Sequence, residues 1–125
     1  MKIRIYYYDT DCGGVVYYAR YLDFLEEART EFLAQRGVSV SELADQGTLF
    51  VVARQEIDYK LPSHYGDTLQ IDTRVTDVSR VKINFEYEIK NQKGQLVSKA
   101  KTVLVCVDKD LRPKAIPEEF SGNIA

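Results

Sequence analysis

The sequence predicts an α+β fold: an antiparallel five-stranded sheet curled around one long helix, in the chain order β-α-β-β-β-β. Three observations carry this prediction. One stretch near the N-terminus repeats its apolar residues at helical spacing. From Leu49 onward the chain instead alternates with the two-residue period of strands. Those strands follow one another without helices between them, which is the pattern of an antiparallel sheet with its helix segregated to one face.

The first strand is read from Ile3, Ile5 and Tyr7 alternating with Arg4, Tyr6 and Tyr8, and it stops at Asp9-Thr10-Asp11-Cys12-Gly13-Gly14. Tyr21, Leu25, Ala28 and Phe32 then recur at i, i+4, i+7 and i+11, flanked by Leu22, Phe24 and Leu33. This wide apolar stripe predicts an amphipathic helix of about five turns, with Gly37 as its C-terminal cap. Ser39 or Ser41 offers an N-cap for a short second helix before Gly47. Strands are expected at Leu49–Tyr59, around Leu69–Thr76, at Val81–Lys90 and at Gln95–Val107. Pro62–Asp67 and Asn91–Gly94 form the turns between them. The continuous run Val103-Leu104-Val105-Cys106-Val107 marks an interior strand. The tail from about residue 110, with Pro113 and Pro117, reads as irregular. One helix cannot cover both faces of such a sheet, so apolar residues left on the outer face imply a partner subunit.

The 125 residues make a single domain, 1–125, and the formal net charge of -2 has both signs interspersed. No basic field advertises nucleic acid, and no apolar run has the length of a membrane span. The N-terminus has no signal-peptide pattern. The two cysteines, Cys12 and Cys106, are far apart and suit a reducing compartment, so the expected location is cytoplasmic. One histidine and two dispersed cysteines make a poor ligand set, and neither a metal nor a cofactor is expected. His64, the one histidine, reads as a solvated turn residue. Cys12, beside two carboxylates, reads as a small filler.

The chemistry is therefore expected at the junction Tyr8-Asp9-Thr10-Asp11-Cys12-Gly13-Gly14-Val15-Val16-Tyr17-Tyr18, which leads from a strand into a helix with no good N-cap residue. An uncapped helix start leaves backbone N–H groups pointing outward at the positive end of the helix dipole. Such donors can hold a carbonyl oxygen that becomes negative in a transition state. A carboxylate on the adjoining loop could attack the carbonyl carbon or deprotonate a water. The competing role for Asp9 and Asp11 is turn formation through nearby backbone N–H groups.

At this motif the sequence resembles the hot-dog-fold thioesterases, specifically the YbgC and 4-hydroxybenzoyl-CoA thioesterase group. The matching residues are Tyr8-Asp9-Thr10-Asp11, Gly14-Val15-Val16-Tyr17, Tyr21, Glu26 and Ala28-Arg29-Thr30-Glu31. Further matches fall at Phe50-Val51-Val52, at Tyr59 with Pro62, and at Val105-Cys106-Val107-Asp108 with Arg112-Pro113. The resemblance implies that Asp11 is the catalytic carboxylate and Asp9 shapes the loop. It assigns carbonyl polarisation to the backbone N–H of Tyr18, with Gly14 as a looser candidate. Many YbgC-like members carry histidine where this chain has Tyr18. The resemblance also implies subunits that pair their sheets edge to edge as dimers or tetramers, with active sites at the interface.

The expected function is hydrolysis of a small acyl-CoA thioester, or an acyl-carrier-protein thioester, to free acid and thiol. Tyr17 and Tyr21 would line a pocket for short-chain or aromatic acyl groups. Arg80, Lys82 and Arg112 are candidate cations for the nucleotide end of CoA. The rival expectations are a hot-dog dehydratase acting on hydroxyacyl thioesters and a non-catalytic acyl-thioester-binding or scaffold protein.

Overall fold

The computed structural model describes residues 1–124. Strands β1 (Lys2–Arg4), β2 (Leu49–Tyr59), β3 (Thr68–Val78), β4 (Lys82–Lys90) and β5 (Leu96–Val107) form one antiparallel sheet in the order β1-β3-β4-β5-β2. Helices α1 (Arg20–Gln35) and α2 (Val40–Asp45) lie between β1 and β2, and α3 (Glu118–Ile124) follows β5.

The apolar stripe of α1 becomes its buried face: Tyr21, Phe24, Leu25, Ala28 and Leu33 all point into the core. They meet the inward residues of the sheet, among them Leu69, Ile71, Ile83, Phe85 and Ile89. Each fully buried Leu, Ile or Phe here contributes roughly 1.5–3 kcal/mol relative to exposure. The helix stops as its sequence predicts. Gly37, at φ 78°, donates to Ala34 O at 3.0 Å, and Val38 N–H donates to Leu33 O at 2.9 Å. This pair is the Schellman pattern, which requires the left-handed angle that glycine adopts without strain. Ser39 caps α2 by accepting the Glu42 N–H. Register shifts at Val52/Arg54 in β2 and at Val75/Asp77 in β3 mark bulges, and bulges bend strands and increase sheet twist.

Three expectations need correction. The first strand ends at Arg4, because the Asp9 carboxylate captures the Tyr6 N–H at 2.9 Å and closes a 3-10 turn over Tyr7–Asp9. The tail is not irregular throughout, since α3 forms and sets Ile124 in the core, where Ile116 just before the helix also lies. Its Ser121-Gly122-Asn123 run is a weak helix former, so periodicity gave no signal there.

The third correction concerns the outer face of the sheet, which is charged rather than apolar. Register aligns Arg74, Glu86, Lys101 and Glu56 across four strands, with alternating sign. Arg74 pairs with Glu86, Lys101 approaches Glu86 at 3.7 Å, and Lys99 approaches Glu88 at 3.9 Å. The exposed apolar surface lies elsewhere, along the edge strand β2 and at the start of α1. Val52, Tyr59, Tyr17, Tyr18 and Leu22 are all exposed there. β2 has β5 on one side only, so eleven residues of strand present an open edge, whereas the opposite edge strand, β1, is three residues long.

Candidate active site

The loop after β1 folds into a tight hairpin. Tyr17 N–H donates to Asp9 O at 3.0 Å, Thr10 bridges Val16, and Asp11 N–H donates to Val15 O at 2.9 Å. Gly14, at φ 80°, takes the tip conformation that a β-carbon would strain. The hairpin is anchored to the β2–β3 connection, where Val15 bridges His64 and Val16 N–H donates to Ser63 O at 2.8 Å. Ser63 is fully buried and also accepts the Tyr21 hydroxyl at 3.1 Å. Hairpin, turn and helix start are thus tied at one point.

The two aspartates occupy different environments. Asp9 is only 3% exposed, and both of its oxygens are engaged, one by the Tyr6 N–H and one by Arg20 Nε at 2.8 Å. The Asp9 carboxylate holds the Arg20 guanidinium above its usual pKa, with Asp23 adding to the effect and burial opposing it. Asp11 is exposed, and Oδ1 accepts the Gly13 N–H at 2.8 Å. Among the described residues Oδ2 has no partner, which leaves it open to a substrate or water. The cysteine between Asp11 and Gly13 is a free, exposed thiol, and Cys106 is free and buried.

Helix α1 begins without a side-chain cap, its N-cap residue being Ala19. Arg20 N–H donates to Tyr17 O at 2.9 Å and Leu22 N–H to Ala19 O at 3.1 Å. Among the described residues the N–H groups of Tyr18 and Ala19 have no acceptor. The Gly14 N–H, by contrast, is taken by Asp11 O at 3.0 Å within the turn, so Gly14 shapes the hairpin and has no free donor. Around the open N–H groups stand four tyrosines. Tyr18 meets Tyr17 at 4.9 Å between ring centroids and Tyr59 at 6.3 Å, and Tyr21 meets Tyr59 at 5.5 Å. Burial raises the pKa of both Tyr21 and Tyr59, so their hydroxyls remain donors at neutral pH.

Arg80, Lys82 and Arg112 lie at one end of the sheet, but not here. Lys82 pairs with Val105, Arg80 O accepts the Ile116 N–H, and Arg112 O accepts the Asp108 N–H, all at the end of the sheet where Leu49 pairs with Val107. Asp11 and Tyr18 lie at the Tyr59 end of β2, roughly 33 Å away at about 3.3 Å per residue. A shallow depression of about 550 Å³ lies on the charged outer face, lined by Asp72, Arg74, Glu86, Glu88 and Lys99 among others. Its paired charges suit water better than an acyl chain.

Sequence reasoning gave no site role to three residues that the structure sets beside the Asp11 hairpin and the start of α1. Arg20 is the partner of Asp9, and no local spacing predicts an ion pair across a hairpin. His64 is solvated, yet its backbone lies directly against the Asp11 hairpin, so it is nearer the site than a turn between two strands suggests. Tyr59, matched to the family in sequence but given no role there, lies on the inner side of β2 in step with Ile57 and Gln55.

The thioesterase-like superfamily profile matches residues 6–124. The acyl-CoA thioesterase YbgC of Haemophilus influenzae is 40% identical over 122 residues, covering 96% of this chain and 89% of its own length. The acyl-CoA thioester hydrolase YbgC of Escherichia coli O6:H1 is 38% identical over 119 residues, covering 94% and 89%. Among solved structures, a DHNA-CoA thioesterase from Staphylococcus aureus superposes with a TM-score of 0.92 at 29% identity, over 98% of this chain and 83% of that one. With one sheet wrapped on one long helix and near-complete matches in sequence and structure, the chain belongs to the thioesterase-like superfamily, as a hot-dog-fold acyl-CoA thioesterase of the YbgC type.

Proposed function

We propose that this protein hydrolyses small acyl-CoA thioesters, short-chain or aromatic, with Asp11 as the catalytic carboxylate and the Tyr18 N–H polarising the thioester carbonyl. The observation that carries the proposal is an exposed carboxylate with one free oxygen, on a hairpin leading into an uncapped helix whose first N–H groups are open. Asp11 either attacks the carbonyl carbon or removes a proton from an attacking water. In the first route a mixed anhydride forms as the CoA thiolate leaves, and water then releases the acid and restores the carboxylate. In the second the tetrahedral intermediate collapses directly to acid and thiol. Both place negative charge on the carbonyl oxygen, which backbone donors stabilise.

The open β2 edge supports pairing with β2 of a second copy. An antiparallel pairing brings the Leu49 end of one strand beside the Tyr59 end of the other, and with it the Arg80, Lys82 and Arg112 cluster of the second copy. That would supply cations for the phosphates of CoA that one protomer cannot bring to its own Asp11. Tyr17 and Tyr21 favour flat or short acyl groups. The S. aureus structural neighbour, described as a DHNA-CoA thioesterase, is in keeping with an aromatic substrate.

The test is thiol release from acetyl-, butyryl-, benzoyl- and palmitoyl-CoA, with an acyl-carrier-protein thioester and a hydroxyacyl-CoA alongside. Expected is a higher kcat/KM for short or aromatic acyl groups than for palmitoyl. Palmitoyl-CoA above all the others would overturn the acyl preference. Loss of water from the hydroxyacyl-CoA without thiol release would favour a dehydratase, and no turnover with tight binding a scaffold.

A further inference from the structure

Two peptide groups carry the open donors at the start of α1, and each is fixed by a bond to its carbonyl. The Tyr17–Tyr18 peptide is held by Arg20 N–H donating to Tyr17 O at 2.9 Å. Among the described residues the Tyr18–Ala19 peptide has no such backbone partner, because Leu22 N–H turns to Ala19 O at 3.1 Å instead. The Tyr59 hydroxyl fills that role, donating to Tyr18 O at 2.9 Å. In a trans peptide the carbonyl and the N–H point in opposite directions. Fixing Tyr18 O against Tyr59 therefore fixes the direction of the Ala19 N–H, which has no acceptor among the described residues. Tyr59 is itself braced. Its ring packs edge-on against Tyr18 and Tyr21, and its strand end is pinned by Ser98 Oγ donating to Asp58 O at 2.8 Å.

We infer that Tyr59 is a positioning residue for thioester hydrolysis, one that holds the Tyr18–Ala19 peptide so that its N–H joins that of Tyr18 in polarising the substrate carbonyl. The inference rests on the hydrolase reading of the Asp11 site and adds a residue to it. Because Tyr59 is the last residue of the open edge strand, it also links the edge where a second copy would pair to the start of α1.

Tyr59→Phe removes the hydroxyl and keeps the ring. The expected result is a fall in kcat of about tenfold, the scale of one hydrogen bond, with KM, melting temperature and oligomeric state unchanged. Amide hydrogen exchange over residues 17–21 should quicken in the same variant. Tyr59→Ala, which also loses the ring packing, should in addition raise KM and lower the melting temperature. Wild-type kcat with unchanged exchange in Tyr59→Phe would overturn the inference. So would a lower kcat in Tyr59→Phe that comes with a raised KM and a lowered melting temperature, which marks a merely structural role. If the wild-type protein cleaves no thioester, the hydrolase reading fails on its own. Unchanged exchange in Tyr59→Phe would then separately remove the orienting role.

Discussion

Asp9 and Asp11 are the same side chain two positions apart, and their sequence context gives each the same claim to shape a turn. Burial separates them. Asp9 is enclosed and bonded through both oxygens, whereas Asp11 is exposed and bonded through one. Asp11→Asn keeps the Gly13 contact but removes the charge needed for attack or proton abstraction. Its kcat should fall roughly 10²–10⁴-fold while the melting temperature holds. Asp9→Asn should do the reverse, losing about 1.5–3 kcal/mol of stability, the range for hydrogen bonds to a charged group, with activity surviving in the folded fraction. Thiol release and thermal melts on both variants check the pair, and a folded, inactive Asp9→Asn would reverse the assignment. The resemblance assigns the catalytic role to Asp11, but its physical distinction from Asp9 depends on Arg20, eleven residues beyond Asp9, which local pattern cannot reveal.

Elements whose period is long and clean were legible: α1 from its apolar stripe and Gly37, and β2 from Leu49 to Tyr59 at both ends. Elements decided by a single side-chain bond were not, as the loss of β1 beyond Arg4 to the Asp9 turn demonstrates. The charged alternation of the strands was visible in the sequence, but its consequence, a ladder of opposite signs, depends on cross-strand register. That ladder makes the sheet acid-sensitive. Hydrogen bonding from Arg74, with added attraction from Lys101, holds Glu86 below the ordinary carboxylate value of 4.5 against the opposing effect of desolvation. Its stabilising contribution is complete above that value and is lost as pH falls through the lower folded pKa. Lys101→Glu sets a carboxylate between Glu86 and Glu56. It should destabilise the sheet by about 0.2–1 kcal/mol at low salt and less at high salt. Denaturant melts of wild type and variant at pH 7 and pH 3.5 should show the gap narrowing in acid.

At the scale of the whole molecule, a long open edge strand beside exposed aromatic and aliphatic residues is a surface that soluble proteins cover. We expect a dimer built on β2 at micromolar concentration. Val52→Lys, which places a charge on the open edge strand, should shift sedimentation toward monomer and lower activity with it. A fully active monomer would remove both the edge pairing and the proposed reach of the Arg80, Lys82 and Arg112 cluster to a neighbour's Asp11. The expectation of a second copy was drawn in the sequence from one helix facing five strands, yet the outer face is charged, so the case for a partner now rests on the β2 edge. The surface that recruits it was not legible there, because the outer face depends on register and the open edge on strand order.

The aromatic cluster at the start of α1 has an optical consequence. The chain has nine tyrosines and no tryptophan, so its intrinsic emission comes from tyrosine alone. Four of those fluorophores, Tyr17, Tyr18, Tyr21 and Tyr59, stand together at the candidate site. A molecule entering there perturbs a large share of the protein's whole signal. Binding can therefore be followed in the unmodified protein by quenching, with no label attached, before any bond in the substrate is broken.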